Sequence, residues 1–94
     1  MFNITSNKGV HITFKNGITV SVQWGYGDYC DNRYSGHFGE TPPESHDAEV
    51  AVWDADNVWV TKDAPHSEND DVIGYLNADQ VADIIAWASM LKTR

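Results

Sequence analysis

Ile18-Thr19-Val20-Ser21-Val22-Gln23-Trp24-Gly25-Tyr26-Gly27-Asp28-Tyr29-Cys30-Asp31-Asn32-Arg33 is the stretch on which the reading of this 94-residue chain turns. Its first half alternates strictly. Ile18, Val20, Val22 and Trp24 take one face, and Thr19, Ser21 and Gln23 take the other, which is the period of a half-buried strand. Its second half alternates glycines with aromatics and then holds the only cysteine, two aspartates and an arginine. A regular strand feeding a glycine-aromatic loop is a common way for a rigid scaffold to present a recognition surface.

Upstream, Val10, Ile12 and Phe14 form a second apolar stripe that leads into Lys15-Asn16-Gly17. A two-residue turn would place the two stripes on opposite faces. A three-residue loop pairs Phe14 with Ile18, Ile12 with Val20 and Val10 with Val22, so the parity selects a type I turn with Gly17 left-handed. Phe2 and Ile4 also alternate and suggest an edge strand. Downstream, Trp24 to Asp47 is long, glycine-rich and aperiodic, a length that in compact domains usually accompanies function. Its aromatic first third (Tyr26, Tyr29, Tyr34, Phe38) is expected to pack, and Gly39 to Ser45 to be exposed.

Alternation resumes from Ala48 to Trp53. The same parity test closes a second hairpin through Ala55-Asp56-Asn57, with Asn57 left-handed, Val58 to Thr61 returning, and Trp53 opposite Trp59. Thr61 to Asp71 reads as an acidic surface loop and Val72 to Leu76 as a short strand. Asn77 with Gln80 forms a capping box, after which Val81, Ile84, Ile85, Ala88 and Leu91 keep helical spacing. Asp79 and Asp83 suit the positive end of the helix dipole, and Lys92 and Arg94 the negative end. The expected fold is a single α+β domain over residues 1–94: an antiparallel sheet of four or five strands with one C-terminal helix on one face.

Fourteen acidic residues against six basic ones give a net charge of −8. Such a balance argues against direct nucleic-acid binding, which needs a basic face, and suits either solubility or a basic protein partner. The charge is uneven, with no Lys or Arg between Arg33 and Lys62 or between Lys62 and Lys92. No apolar run approaches the ~20 residues of a membrane span, and the start lacks a signal-peptide pattern. With a lone cysteine, these features place the expected site of action in the cytoplasm.

Trp24, Gly25, Tyr26, Gly27, Tyr29 and Arg33 are the candidate ligand-binding residues. Rings stack on a base, glycines let backbone N–H groups approach phosphate, and a guanidinium contacts phosphate through two donors. No helix follows directly, so this is not a dinucleotide or P-loop fingerprint. The plainer alternative is that the aromatics cap the core and the glycines make turns. Cys30, His37, His46 and His66 stand at no structural-zinc spacing, so no metal is expected. Asp54-Ala55-Asp56-Asn57 echoes a calcium loop but lacks its glycine and its final glutamate. Cys30 with His37 as nucleophile and base is outweighed by an ordinary loop thiol, and neither an enzyme nor a cofactor is expected. Asp63, Glu68, Asp70 and Asp71 form a solvated loop that could also mimic spaced phosphates.

Phe14 to Cys30, Ala48 to Asp56 and Gly74 to Ala82 together resemble a family of small proteins from tailed phages and prophages. Members often have Gly in place of Asn57, which suits a left-handed turn, and Pro in place of Tyr26. The resemblance implies phage origin and action in the host cytoplasm, without a settled activity. Two functions follow as expectations. The first is a non-enzymatic counter-defence protein that sequesters a nucleotide-derived immune signal. The alternative is an acidic protein–protein inhibitor of a host defence or nucleic-acid-binding protein, of the anti-CRISPR or DNA-mimic kind. A homo-oligomer, through exposed Trp53 and Trp59, is the remaining partner expected.

Overall fold

The computed structural model describes residues 1–6, 9–35, 42 and 44–92. The protein is α+β, with strands β1 (Phe2–Thr5), β2 (Gly9–Thr13), β3 (Thr19–Gln23), β4 (Ala48–Trp53) and β5 (Ile73–Leu76) followed by helix α1 (Ala78–Met90). The strands form one antiparallel sheet in sequence order. Lys8, His37, Phe38, Glu40, Pro43 and Arg94 lie outside the described residues.

The β2–β3 turn sets the register of the sheet. Val10 faces Val22 and Ile12 faces Val20. Gly17, at φ +86°, donates to Phe14 O at 3.0 Å, and Phe14 N donates to Ile18 O at 2.9 Å. This is the three-residue loop that parity requires, with glycine where a Cβ would strain the backbone. Asn16 then ties the turn to the far end of the helix. Its Nδ2 donates to Ala88 O (2.9 Å) and Leu91 O (2.8 Å), and its Oδ1 accepts from Ile18 N (3.0 Å). The orphan carbonyls of the last turn are thereby satisfied by a side chain 72 residues away in sequence. Of the basic residues expected at this end, Lys92 directly follows the C-cap Leu91, outside the last turn of α1, and Arg94 lies outside the described residues. The N-terminal end carries the capping box, with Asn77 Oδ1 accepting from Gln80 N and Gln80 Oε1 accepting from Asn77 N, both at 2.9 Å.

One row of residues shows how far the helix covers the sheet. It runs Ile4, Val10, Val22, Val50, Ile73 across all five strands. Val50 and Ile73 are fully buried, Val10 is half-buried and Ile4 is 86% exposed. Ile84 and Ala88 of α1 pack on the buried part, with Val81, Ile85 and Trp87 flanking. One 13-residue helix therefore covers β3 to β5 and leaves β1 open.

The second hairpin is shorter than expected. Its turn is as parity requires, with Asn57 at φ +61° and Trp53 bridging Trp59, but Val58 to Thr61 is not a strand. Thr61 is the reason. Its hydroxyl bonds Val52 N at 2.9 Å and Val52 O at 3.3 Å, taking the place of a ladder rung, and the chain then turns through a 3₁₀ segment, Thr61–Asp63. Asp54 Oδ1 accepts from Asp56 N and Val58 N, so the aspartate that echoes a calcium loop is engaged with its own turn.

The face away from the helix is polar but well covered. Thr19, Ser21 and Ala51 are buried there beneath larger neighbours. His11 meets Trp53 edge to face at 5.1 Å, and Trp53 lies 5.4 Å from Trp59. Trp53 is consequently half-buried rather than free to serve a partner, while Trp59 stays exposed.

Two predictions follow from these contacts. Asn16→Ala removes three hydrogen bonds at a half-buried position and is expected to cost about 2 kcal/mol in urea unfolding. Asn16→Asp is expected to cost at least as much, because a carboxylate cannot donate to the helix carbonyls and repels their negative end. Burial holds the His11 pKa below its ordinary value. The unfolded chain therefore binds the proton more readily. The corresponding stability is complete above the unfolded pKa of about 6.5 and is lost as pH falls through and below it. Between pH 7.5 and 5.0 the wild type should lose more stability than His11→Gln, a comparison in which the shared carboxylates cancel.

Candidate functional site

The segment from Trp24 to Ser35 folds back over the end of the sheet and docks at an irregularity in β5. Ala48 pairs with Leu76 and Val50 with Ile73, so Gly74 and Tyr75 stand opposite the single residue Glu49. Tyr75 takes a φ of +57°, and its N–H donates to Tyr29 O at 2.9 Å. Gly74 is required by this approach, since a Cβ there would come within 2.8 Å of Tyr29 Cβ. The bulge and the docked loop together close the β5 edge of the sheet.

Inside the loop, acidic and amide side chains do the packing. Asp28 and Asn32 are buried, and so is Cys30. Asp28 Oδ2 accepts from Gly25 N at 2.9 Å, and Asn32 Nδ2 donates to Trp24 O (2.8 Å) and Glu44 O (3.0 Å). Neighbouring carboxylates reach in as well: Glu49 Oε2 accepts from Tyr29 N at 2.7 Å and Asp47 Oδ1 from Asp31 N at 2.6 Å. Gly27 N donates to Arg33 O, and Cys30 N to Asp28 O, both at 2.9 Å. The backbone donors of Gly25, Gly27, Asp28, Tyr29, Cys30, Asp31 and Arg33 are thus engaged by the protein's own oxygens.

The tyrosines lie outside. The expectation that Tyr26, Tyr29 and Tyr34 pack is corrected here, because all three are exposed, and so is Tyr75. The physical reason is that the short polar side chains satisfy the buried backbone groups of this irregular loop, and tyrosine rings cannot. Arg33 organises the exposed rings. Its guanidinium lies 4.2 Å from the Tyr29 ring centre and 5.6 Å from that of Tyr34, Nη1 donates to Gly27 O at 3.1 Å, and Nε donates to the Tyr34 hydroxyl at 3.3 Å. The hydrogen bond to Tyr34 holds the Arg33 pKa above its ordinary value.

Of the six candidate residues, Trp24 separates from the rest. It packs against the core and helps to line an open pocket of about 430 Å³, with Val22, Leu76, Val81 and Ile85 and the polar Glu44, His46 and Asp47. Gly25 is buried, whereas Tyr26, Gly27, Tyr29 and Arg33 form the outer surface of the loop. Tyr29 also borders an open groove of about 720 Å³ between Tyr75, Glu68, Asp70, His66 and Gln80. Tyr75 and Glu49 join the site without having been singled out in the sequence, and Tyr34, expected to pack, joins it through Arg33. The signal for Glu49 was absent, because an acidic residue on the polar face of a strand has no mark that distinguishes it.

Among the described residues the ion pairs are His46–Asp31 at 3.1 Å and His66–Asp83 at 2.8 Å, with no Lys or Arg bridging to a carboxylate. Cys30 is buried with its thiol on Gly25 O, and burial, followed by the nearby Asp28 and Asp47 carboxylates, pushes its pKa up. Such a thiol is a poor nucleophile. No group of three or more His, Cys, Asp or Glu among the described residues is placed to hold a metal ion. No helix among them is long and apolar enough to cross a membrane. The chain matches no family model, no characterised protein and no solved structure.

Asp28→Ala is expected to lower stability by about 2 kcal/mol, since it leaves the buried Gly25 N–H without its acceptor. The same variant should expose the neighbouring thiol. Labelling of Cys30 by a chromogenic disulfide, slow in the native wild type, should become at least several-fold faster at a temperature where the variant remains folded.

Proposed function

We propose that the protein is a non-enzymatic phage counter-defence protein that acts by binding, and that its recognition face is the tyrosine and carboxylate surface around Arg33. The observation that carries this reading is the inverted loop. Exposed Tyr29 and Tyr75 border one groove with Glu68 and Asp70, Tyr34 is held beside Tyr29 through Arg33, and Tyr26 is exposed on the same loop. Tyrosine supplies large contact area with few rotatable bonds, which is why it is enriched at interfaces.

Of the two ligand classes, a basic protein surface fits this face better. The backbone N–H groups of Gly25, Gly27, Tyr29 and Asp31 are engaged by carboxylate and carbonyl oxygens, and among the described residues no Lys or Arg forms an ion pair with the carboxylates beside the groove. An anion would meet that field unfavourably, and a lysine- or arginine-rich surface favourably. A host nucleic-acid-binding defence protein has the required chemistry. The nucleotide-sequestration reading keeps one specific support, the Arg33 guanidinium stacked on exposed Tyr29, where a base and a phosphate could both be met.

A single pair of measurements separates the two. Affinity capture from host lysate should recover one stoichiometric partner that elutes with salt and is lost with the double change Asp70→Lys and Asp71→Lys. Calorimetry of the same protein against cyclic di- and trinucleotides and ADP-ribose derivatives should give no heat. Heat that disappears in Arg33→Ala, with no captured protein, would overturn the first reading in favour of the second.

A further inference from the structure

The two edges of the sheet are treated differently. The β5 edge is closed by its bulge and by the docked Tyr29 loop, whereas nothing among the described residues pairs with the outer edge of β1. Natural edge strands are normally blunted by charge, proline or a bulge. Phe2-Asn3-Ile4-Thr5 has none of these, and its pairing with β2 is regular throughout.

Its hydrogen-bond phase can be read from one rung. Met1 N donates to Thr13 O at 3.0 Å and Thr13 N donates to Met1 O at 2.8 Å, so Met1 and Thr13 are a bonded pair. In an antiparallel ladder bonded pairs alternate. Asn3 and Thr5 are therefore the next residues to bond inward, and Phe2 and Ile4 turn their N–H and C=O groups outward. The same two residues carry the exposed apolar side chains, 75% exposed for Phe2 and 86% for Ile4, on the face that carries Val10, Ile12 and Phe14.

We infer that β1 is a homodimerisation edge, where two copies pair antiparallel about a two-fold axis through Asn3. The pattern is self-complementary. With Asn3 opposite Asn3 of the second copy, each Phe2 lies opposite an Ile4, and the two pairs exchange four backbone hydrogen bonds. The four apolar side chains then cluster on one face and extend the core stripe of each sheet into a continuous ten-stranded sheet. Register and hydrogen-bond phase, rather than charge, select a second copy at this edge. All fourteen acidic residues follow Gly27, so the pairing brings no carboxylates together, and the like basic charges of Lys8 and Lys15 make the dimer tighter as salt is raised. A pair of four-residue strands buries less than the roughly 1,200–2,000 Å² of a stable interface, so the dimer is a weak one, with a dissociation constant on the order of 10–100 µM.

Sedimentation of the intact chain between 5 µM and 1 mM tests this. The wild type should pass from monomer to dimer, and no larger species should form, because the pairing closes on itself. Ile4→Pro removes an outward N–H that the monomer does not use. It should leave the circular dichroism spectrum unchanged and raise the dissociation constant at least tenfold, while Tyr34→Ser should change neither. Asn3→Cys supplies an independent readout that does not depend on proline being tolerated. The two Cα atoms on the axis would stand about 4.5 Å apart, within disulfide range, so mild oxidation should yield a covalent dimer. A wild type that stays monomeric at 1 mM overturns the inference. So does a dimer indifferent to Ile4→Pro, or an Asn3→Cys protein that fails to cross-link at concentrations where the wild type is dimeric.

Discussion

Asn16 holds together the two parts of this fold that the chain must otherwise bring together over most of its length. One side chain fixes the β2–β3 turn through Ile18 N and closes the C-terminal end of α1 through Ala88 O and Leu91 O. The turn sets the register that stacks Val10, Val22 and Val50 in one row, and the helix end sets where the cover over that row stops. Burial of the row supplies the driving force, but burial has no direction of its own. The amide supplies direction, because its donors and acceptor must all be met in one geometry.

The loop from Trp24 to Ser35 applies the same chemistry to an irregular backbone. A chain that leaves a strand into a non-repeating segment must find partners for each buried N–H and C=O. Asp28 and Asn32 supply them from within the loop, Asp47 and Glu49 accept from two exposed N–H groups, and the tyrosines are left on the surface. Rigidity and recognition therefore have one origin. The buried polar groups hold the loop, and the Tyr29 and Tyr34 rings left outside are held by Arg33 rather than by a core.

How much of this was legible depends on whether a residue's role is periodic or particular. Parity alone selects both three-residue turns, because a one-residue slip would turn every valine of β3 to the wrong face, and Gly17 and Asn57 at positive φ agree. The capping box of α1 was equally plain. The strand expected at Val58 to Thr61 was lost to a single hydroxyl, since Thr61 has good strand propensity until its side chain finds Val52. The site was half legible. Gly25 and Gly27 mark the loop, but aromatic content in a sequence points equally to packing and to exposure, and only the three-dimensional placement of Asp47 and Glu49 shows that they accept from the loop backbone.

The distribution of charge gives the molecule two unlike ends. Acidic side chains are confined to the chain after Gly27, and several of them converge with the exposed tyrosines at the β5 side of the sheet. The β1 strand contains no carboxylate, is apolar on one face, and has no partner on its outer edge among the described residues. A symmetric pairing at β1 would direct both tyrosine faces outward at opposite ends of one sheet. Two linked recognition faces bind a partner that offers two sites more tightly than either face alone, through effective concentration rather than new contacts. For a small protein with a limited contact face, a weak self-association at the unused edge is thus a physical route to stronger capture.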